Sequence, residues 1–339
     1  MFCKLKIKSY LCYRVKVTTK FNTKIFRDMK TLAEITDIIL SNASKASKIK
    51  ALVEEGFAPC DAESTYRLII RTAPKAAIDA MSRARGLGYT VGVEIECFNV
   101  VKSILKSAIE AAGLKARETG YNHEDSETTY KLGHDGSITA DSQSYKGGTC
   151  EVVTPILKNL TSLKKVCAAL NEHDAKVNTT CGLHVHIGAE DFTDADWRKI
   201  VVNYGRIEPV IDSFMAKSRR ADNAYYCKSV VNAARRIEAF GSIMTRRDIA
   251  YEVGDRYHKV NLRAFDSHHT IEFRQHQGTI NFVKIENWIK FLIAFVNYCR
   301  THDEYMTATT IDELPFLDDT LKAYFKGRAD EFAAREGRR

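Results

Sequence analysis

Chemistry-bearing side chains recur at every second position in four short segments of this sequence. Val91-Gly92-Val93-Glu94-Ile95-Glu96-Cys97 alternates apolar residues with Glu94 and Glu96. Leu183-His184-Val185-His186-Ile187 does the same with two histidines, and Ile271-Glu272-Phe273-Arg274-Gln275-His276 with Glu272, Arg274 and His276. Glu151-Val152-Val153 opens on a single glutamate. In an extended strand, residues i and i+2 share one face about 6.5–7 Å apart. Each segment is therefore expected to bury its apolar side and to gather Glu, His and Arg on the other.

Any one of these segments alone reads most simply as a solvated sheet surface. Together they are too restricted in residue type for that, because solvated faces mix Thr, Lys, Ser and Gln. Four carboxylates on one small sheet repel one another unless cations compensate, and two divalent ions would balance Glu94, Glu96, Glu151 and Glu272. Glutamate oxygens joined by an imidazole nitrogen suit Mg²⁺ or Mn²⁺ better than structural zinc, which would want cysteine. Asp135-Gly136-Ser137 is a polar turn, and Lys146-Gly147-Gly148 a loop able to approach a phosphate. No P-loop and no H-E-x-x-H occurs, and Gly86-Leu87-Gly88 precedes a strand where a dinucleotide fingerprint would follow one. His123, His134, His173, His258, His268 and His269 have no partner at ligand spacing and read as surface or loop residues, and Cys181 as a buried thiol.

The elements that must position these residues follow from periodicity. Strands are predicted at 90–98, 128–132, 150–153, 182–187, 260–265 and 270–276, the last two joined by the polar turn Asp266-Ser267-His268. Helices are predicted at 102–112, closed by Gly113, and at 157–173, 194–217 with a kink or break at Pro209, 229–240 and 282–300. Residues 303–339 read as a charged helical tail. Before the first strand, residues 29–88 read as a helical region. The mixed order with hairpins predicts an α+β fold, a mainly antiparallel sheet with helices on one side. The domains expected are an arm at 1–28, the helical region, a catalytic domain at 89–302 and the tail.

Of the 339 residues, 51 are Lys or Arg and 43 Asp or Glu, for a net charge of +8. Nine of the basic residues and one acidic residue fall within the first thirty, so the remainder is neutral. A nucleic-acid or acidic-membrane partner is thus expected only through the arm, where Met29 is an alternative start. No apolar run is long enough for a membrane span. The nine cysteines include no C-x-x-C pair, which points to free thiols in a reducing, cytoplasmic setting.

Gly92-Val93-Glu94-Ile95-Glu96, Asp135-Gly136-Ser137, Glu151-Val152-Val153-Thr154-Pro155, Cys181 to Ile187 and Thr270 to Thr279 together resemble the successive motifs of the amidoligase family. That family belongs to the carboxylate–amine ligase superfamily with glutamine synthetase and γ-glutamylcysteine synthetase. The resemblance covers roughly residues 89–300. It implies a sheet curved into a half-barrel around ATP and Mg²⁺. It implies metal ligation by Glu94, Glu96, Glu151, His184 and Glu272, with His186 on the nucleotide side and Arg274 on phosphate. Tyr257-His258-Lys259-Val260-Asn261-Leu262 is similar to a further family segment, which implies Asn261 for the nucleotide site and carries over the adjacent Arg256 without a defined role.

The activity so implied is ATP-dependent ligation of a small-molecule or peptide carboxylate to an amine through an acyl phosphate. Arg274 would stabilise the transferring phosphoryl group, and Asp135 would orient or deprotonate the amine. A glutamine amidotransferase-like partner enzyme is a further expectation. The alternatives are a metal-dependent hydrolase or a phosphotransferase on the same scaffold, and a non-catalytic module that binds through the arm.

Overall fold

The computed structural model describes residues 45–54, 87–120, 128–140, 147–222 and 225–337. The chain divides into two compact units, Met1–Gly88 and Tyr89–Arg339. In the first, the described parts are helix α1, Lys45–Glu54, and the final residues Leu87 and Gly88. The rest of the predicted arm and helical region lies outside the described residues, as do Lys146 and His123.

The second unit is built on a seven-stranded sheet. Its strands are β1 (Val91–Val100), β2 (Lys115–Glu118), β3 (Thr129–Gly133), β4 (Gly148–Val153), β5 (Gly182–Gly188), β6 (Val260–Asn261) and β7 (Thr270–Gln277). They lie in the order β2-β3-β4-β1-β5-β7-β6. All neighbours are antiparallel except β2 and β3. The sheet is open, with β2 and β6 at its edges, and is not rolled up. The strands that carry the candidate residues, β4, β1, β5 and β7, are its four central neighbours.

Seven helices of eight or more residues accompany the sheet among the described residues of this unit. They are α2 (Lys102–Ala111), α3 (Thr161–Glu172), α4 (Asp194–Ser213), α5 (Val231–Phe240), α6 (Arg246–Val253), α8 (Phe282–Thr301) and α9 (Asp319–Glu336); the short α7 is Ala264–His268. Helix α4 opens on a capping box in which Thr193 Oγ1 accepts from the Asp196 N–H while Asp196 accepts from the Thr193 N–H. This satisfies donors that an α-helix leaves orphaned at its start. The helix runs on through Pro209, where a kink or break is predicted, without a break. The apolar face of the sheet is covered: Val93, Ile95, Val152, Leu183, Val185, Ile187 and Phe273 are fully buried. Phe273 meets Tyr204 of α4 at 5.7 Å and Phe295 of α8 at 6.3 Å between ring centroids. Burying each such side chain contributes about 1.5–3 kcal/mol, so the sheet is pinned by the face opposite to its acids.

Three local expectations are corrected. The 260–265 strand stops after Asn261, and the polar turn is the helix α7. Strand β2 is an additional edge strand. The third concerns register: between Leu183 and Val185 on β5, strand β7 advances three residues, from His276 to Phe273. This bulge breaks the alternation, as bulges do, and turns His276 away from Glu272 and Arg274.

Candidate active site

Pleat and register together assemble one acidic cluster. Glu96 of β1 stands directly opposite Glu151 of β4, Glu94 opposite His184 of β5, and His186 opposite Glu272 of β7. Like charges facing each other across a strand pair are destabilising, so the sheet accepts a local cost here. The groups line a cavity of about 1130 Å³, together with Asp135, Asn261, Arg274 and Arg256. All the predicted site residues therefore face one space.

His184 sits at the centre of the cluster and is buried. Its Nδ1 is 2.8 Å from Glu94 Oε2 and 3.6 Å from Glu272 Oε1, and its Nε2 is 3.5 Å from Glu96 Oε1. His186 Nδ1 pairs with Thr270 Oγ1 at 2.9 Å. Its buried Nε2 has no hydrogen-bond partner, although Glu94 Oε1 is 3.4 Å and Glu272 Oε1 3.9 Å away. Glu272 accepts from Asn261 Nδ2 at 2.6 Å and from Arg274 Nη1. The Asn261 amide is thus engaged in holding a carboxylate, with its Oδ1 accepting from the Arg263 N–H. Glu96 Oε2 accepts from the Gly182 N–H at 2.6 Å. Asp135 Oδ1 closes its own turn by accepting from the Ser137 N–H at 2.6 Å.

The carboxylates are differentiated by their surroundings. Burial works against the charged form of Glu94, yet the imidazoles of His184 and His186 outweigh it and hold its pKa well below the ordinary range. Burial is likewise opposed at Glu272, where the Arg274 charge lowers the pKa. At Glu151 the Arg274 charge acts in the same sense but is outweighed. Burial first, then the charges of Glu94, Asp135 and Glu96, push its pKa well above the ordinary carboxylate value. At His186 burial favours the neutral ring, but Glu94 and Glu272 raise the pKa.

Two groups have donor atoms within 4.8 Å of one another: Glu94, His184 and Glu272, and Glu96, Glu151 and His184. Carboxylate oxygens with one imidazole nitrogen are donors for a hard divalent cation, and the facing Glu96–Glu151 pair beside His184, with the orphaned His186 Nε2 beside Glu94 and Glu272, fits cations in that space. His184 thus faces Glu94 through Nδ1 and Glu96 through Nε2, so one ring borders both groups.

A family described as "Putative amidoligase enzyme" matches residues 87–296 of the sequence. The chain belongs to this family. The amidoligase match spans β1 to α8 and contains every candidate residue given above. Membership supports an enzyme of the ligase class. A comparison with curated proteins finds no match. No helix among the described residues is long and apolar enough to cross a membrane.

The structure also brings residues to the amidoligase cavity that periodicity had not singled out. Arg219 and Tyr226 come from the irregular chain after α4, Arg263 and Ser267 from the start and body of α7, and Thr270 from the first position of β7. His134 and His268, read as loop residues, line the cavity as well; His268 lies edge-on to His186 at 5.9 Å. Residues on turns and single helical turns leave no periodic signal to follow. His276, in contrast, packs on Trp288 of α8 at 5.7 Å and is no part of the site. Cys181 is buried, and burial raises its pKa, as expected of an inert thiol.

Proposed function

We propose that this amidoligase is an ATP-dependent carboxylate–amine ligase that works through an acyl phosphate. The observation that carries the reading is the Glu96–Glu151 pair facing His184, next to Glu94, Glu272 and Arg274 in a single cavity. A carboxylate is a poor acyl donor because oxide would have to leave. Its oxygen attacks the γ-phosphorus of ATP, the bond to the ADP oxygen breaks, and the acyl phosphate that results has a good leaving group. The amine then attacks the acyl carbon, loses a proton and expels phosphate.

Glu94, Glu96, Glu151, His184 and Glu272 are the proposed holders of Mg²⁺ or Mn²⁺, which when bound neutralises phosphate charge. Arg274, its Nε buried without a partner and its Nη1 braced on Glu272, has donors to offer the transferring phosphoryl group. His186 lies beside it for the nucleotide, and Asn261 keeps Glu272 in place. Asp135 stands near enough to Glu151 to raise its pKa and is the proposed acceptor of the amine's proton. The open sheet would then be the counterpart of the half-barrel that the superfamily uses around ATP.

The test is ADP release from ATP and Mg²⁺ with pooled amino acids, followed by mass spectrometry of the products. The wild type is expected to release ADP only when both carboxylate and amine are present. Glu94→Ala and Glu272→Ala are expected to abolish release and to keep the native circular dichroism. Turnover without ATP, or full turnover by either variant, overturns the reading.

A further inference from the structure

Arg219 is a buried cation that the ligase reading leaves unused. It lies at the end of a short 3₁₀ turn, Lys217–Arg219, is 4% exposed, and lines the cavity. Its Nη2 donates to the Cys181 carbonyl at 2.7 Å and the Thr180 carbonyl at 3.5 Å, and the Cys227 thiol lies close by. Its Nε is buried without a hydrogen-bond partner. No carboxylate is among its contacts in the described residues. Three other buried cations have carboxylate partners: Lys259 is 2.8 Å from Glu208 and 3.0 Å from Asp212, Lys199 is 3.5 Å from Asp303, and Arg328 is paired with Glu331, as the half-buried Arg274 is with Glu272. A guanidinium does not lose its proton in a protein, so Arg219 keeps its charge, and its hydrogen-bond partners among the described residues are neutral.

The place of this charge is specific. A Cβ on Gly182 would lie 3.4 Å from Arg219 Nη1 and 2.7 Å from His184 Nε2. The guanidinium and the nitrogen that faces Glu96 thus flank one spot, which glycine leaves open. A buried, unpaired charge is costly to a fold, and the cost is offset when a ligand brings the opposite charge. The fork of N–H donors on arginine matches two oxygens of a carboxylate or a phosphate.

We propose that Arg219 binds an oxyanion of the substrate, at the Glu96–Glu151 end of the cavity. This rests on the ligase reading for which oxyanions are present: the substrate carboxylate or the phosphoryl group in transit. The backbone carbonyls of Thr180 and Cys181 hold the guanidinium in place, so it meets the anion already oriented. Its role differs from that of Arg274, whose charge is shared with Glu272.

The proposal is tested on the full chain with Mg²⁺ present, by calorimetric titration of two probes, inorganic phosphate and glutarate, against sodium chloride of equal ionic strength. Arg219→Gln is expected to weaken at least one probe about tenfold or more, the loss of a charge-assisted, two-pronged contact. Arg219→Lys, which keeps the charge but not the fork, is expected to fall between the two. Loss confined to phosphate assigns the contact to the phosphoryl group, and loss of glutarate to the substrate carboxylate. Circular dichroism checks the fold of each variant. If Arg219→Gln does not fold, the weakening in Arg219→Lys decides. Equal binding of both probes by wild type and the folded variant, or binding of neither probe by wild type, overturns the proposal. The titration does not depend on turnover, so an absence of ADP release would reject the ligase reading and leave this result standing.

Discussion

His276 carries its ring out of the acidic cavity and into the apolar layer. There Nδ1 donates to the Gln277 carbonyl at 2.6 Å and the ring packs on Trp288. Burial lowers its pKa to about 3, against an ordinary value of 6.5. The folded state therefore binds fewer protons than the unfolded state below pH 6.5. Its contribution to stability is complete above that pH and is lost as pH falls toward 3, at about 1.4 kcal/mol per pH unit. Urea unfolding at pH 7 and pH 4 is expected to show a stability gap that His276→Gln narrows by about 3 kcal/mol; an unchanged gap would refute the assignment. The same residue marks how far single residues were legible. Alternation alone placed Glu94, Glu96, His184, His186, Glu272 and Arg274 on one face, because each lies in a regular stretch of strand. It failed at His276 because an extra residue on β7 reverses the face, and a bulge of this kind has no sequence period. Arg219 was invisible for a related reason, since a single 3₁₀ turn has no period to read.

Between residue and molecule, the strands succeed by what they omit. Gly182 and His184 are i and i+2 on β5, and a methyl group at Gly182 would come within 2.7 Å of the imidazole Nε2. Gly92 lies opposite His186, with a would-be Cβ 3.3 Å from that ring's Cβ. The glycines thus make the room in which two histidines stand side by side. Gly182→Ala is expected to push the His184 ring off its place and weaken Mn²⁺ binding about tenfold or more, the scale found when a metal ligand loses its support. Electron paramagnetic titration of Mn²⁺ measures this directly, and native affinity in the variant would show that the ring has other room. Elements rich in alternating or helical apolar residues were legible, α8 and β5 among them. Strand β2 was not, because Lys115-Ala116-Arg117-Glu118 is a short, mostly polar edge. The segment after Asn261 was read as strand, where its apolar residues in fact begin a helical turn.

At the scale of the whole molecule, a segment that reads as a charged helical tail closes the core of the second unit. Residues 303–339 carry that reading because they are rich in charge, and the described helix α9 has a narrow apolar stripe, Leu321 and Phe325 one turn apart. Yet Phe325 packs against Phe214 of α4 at 4.6 Å and Phe291 of α8 at 5.2 Å. Phe316 meets Phe291 at 5.1 Å and Phe295 at 5.6 Å, and Leu314 and Leu317 are buried beside them. Phe295 is in turn the residue that covers Phe273, whose neighbours on β7 are Glu272 and Arg274. Each buried side chain of this size contributes about 1.5–3 kcal/mol, and a domain's whole stability is about 5–15 kcal/mol. The six buried in this segment, Met306, Ile311, Leu314, Leu317, Leu321 and Phe325, are enough to decide whether the sheet keeps its helical cover. A chain of residues 87–339 is therefore expected to unfold in one cooperative thermal transition with native near-ultraviolet dichroism. A chain of residues 87–302, which retains every candidate ligand and the full family match, is expected to lack both. A cooperative transition in the shorter chain would show that the α4–α8 layer holds the cavity unaided.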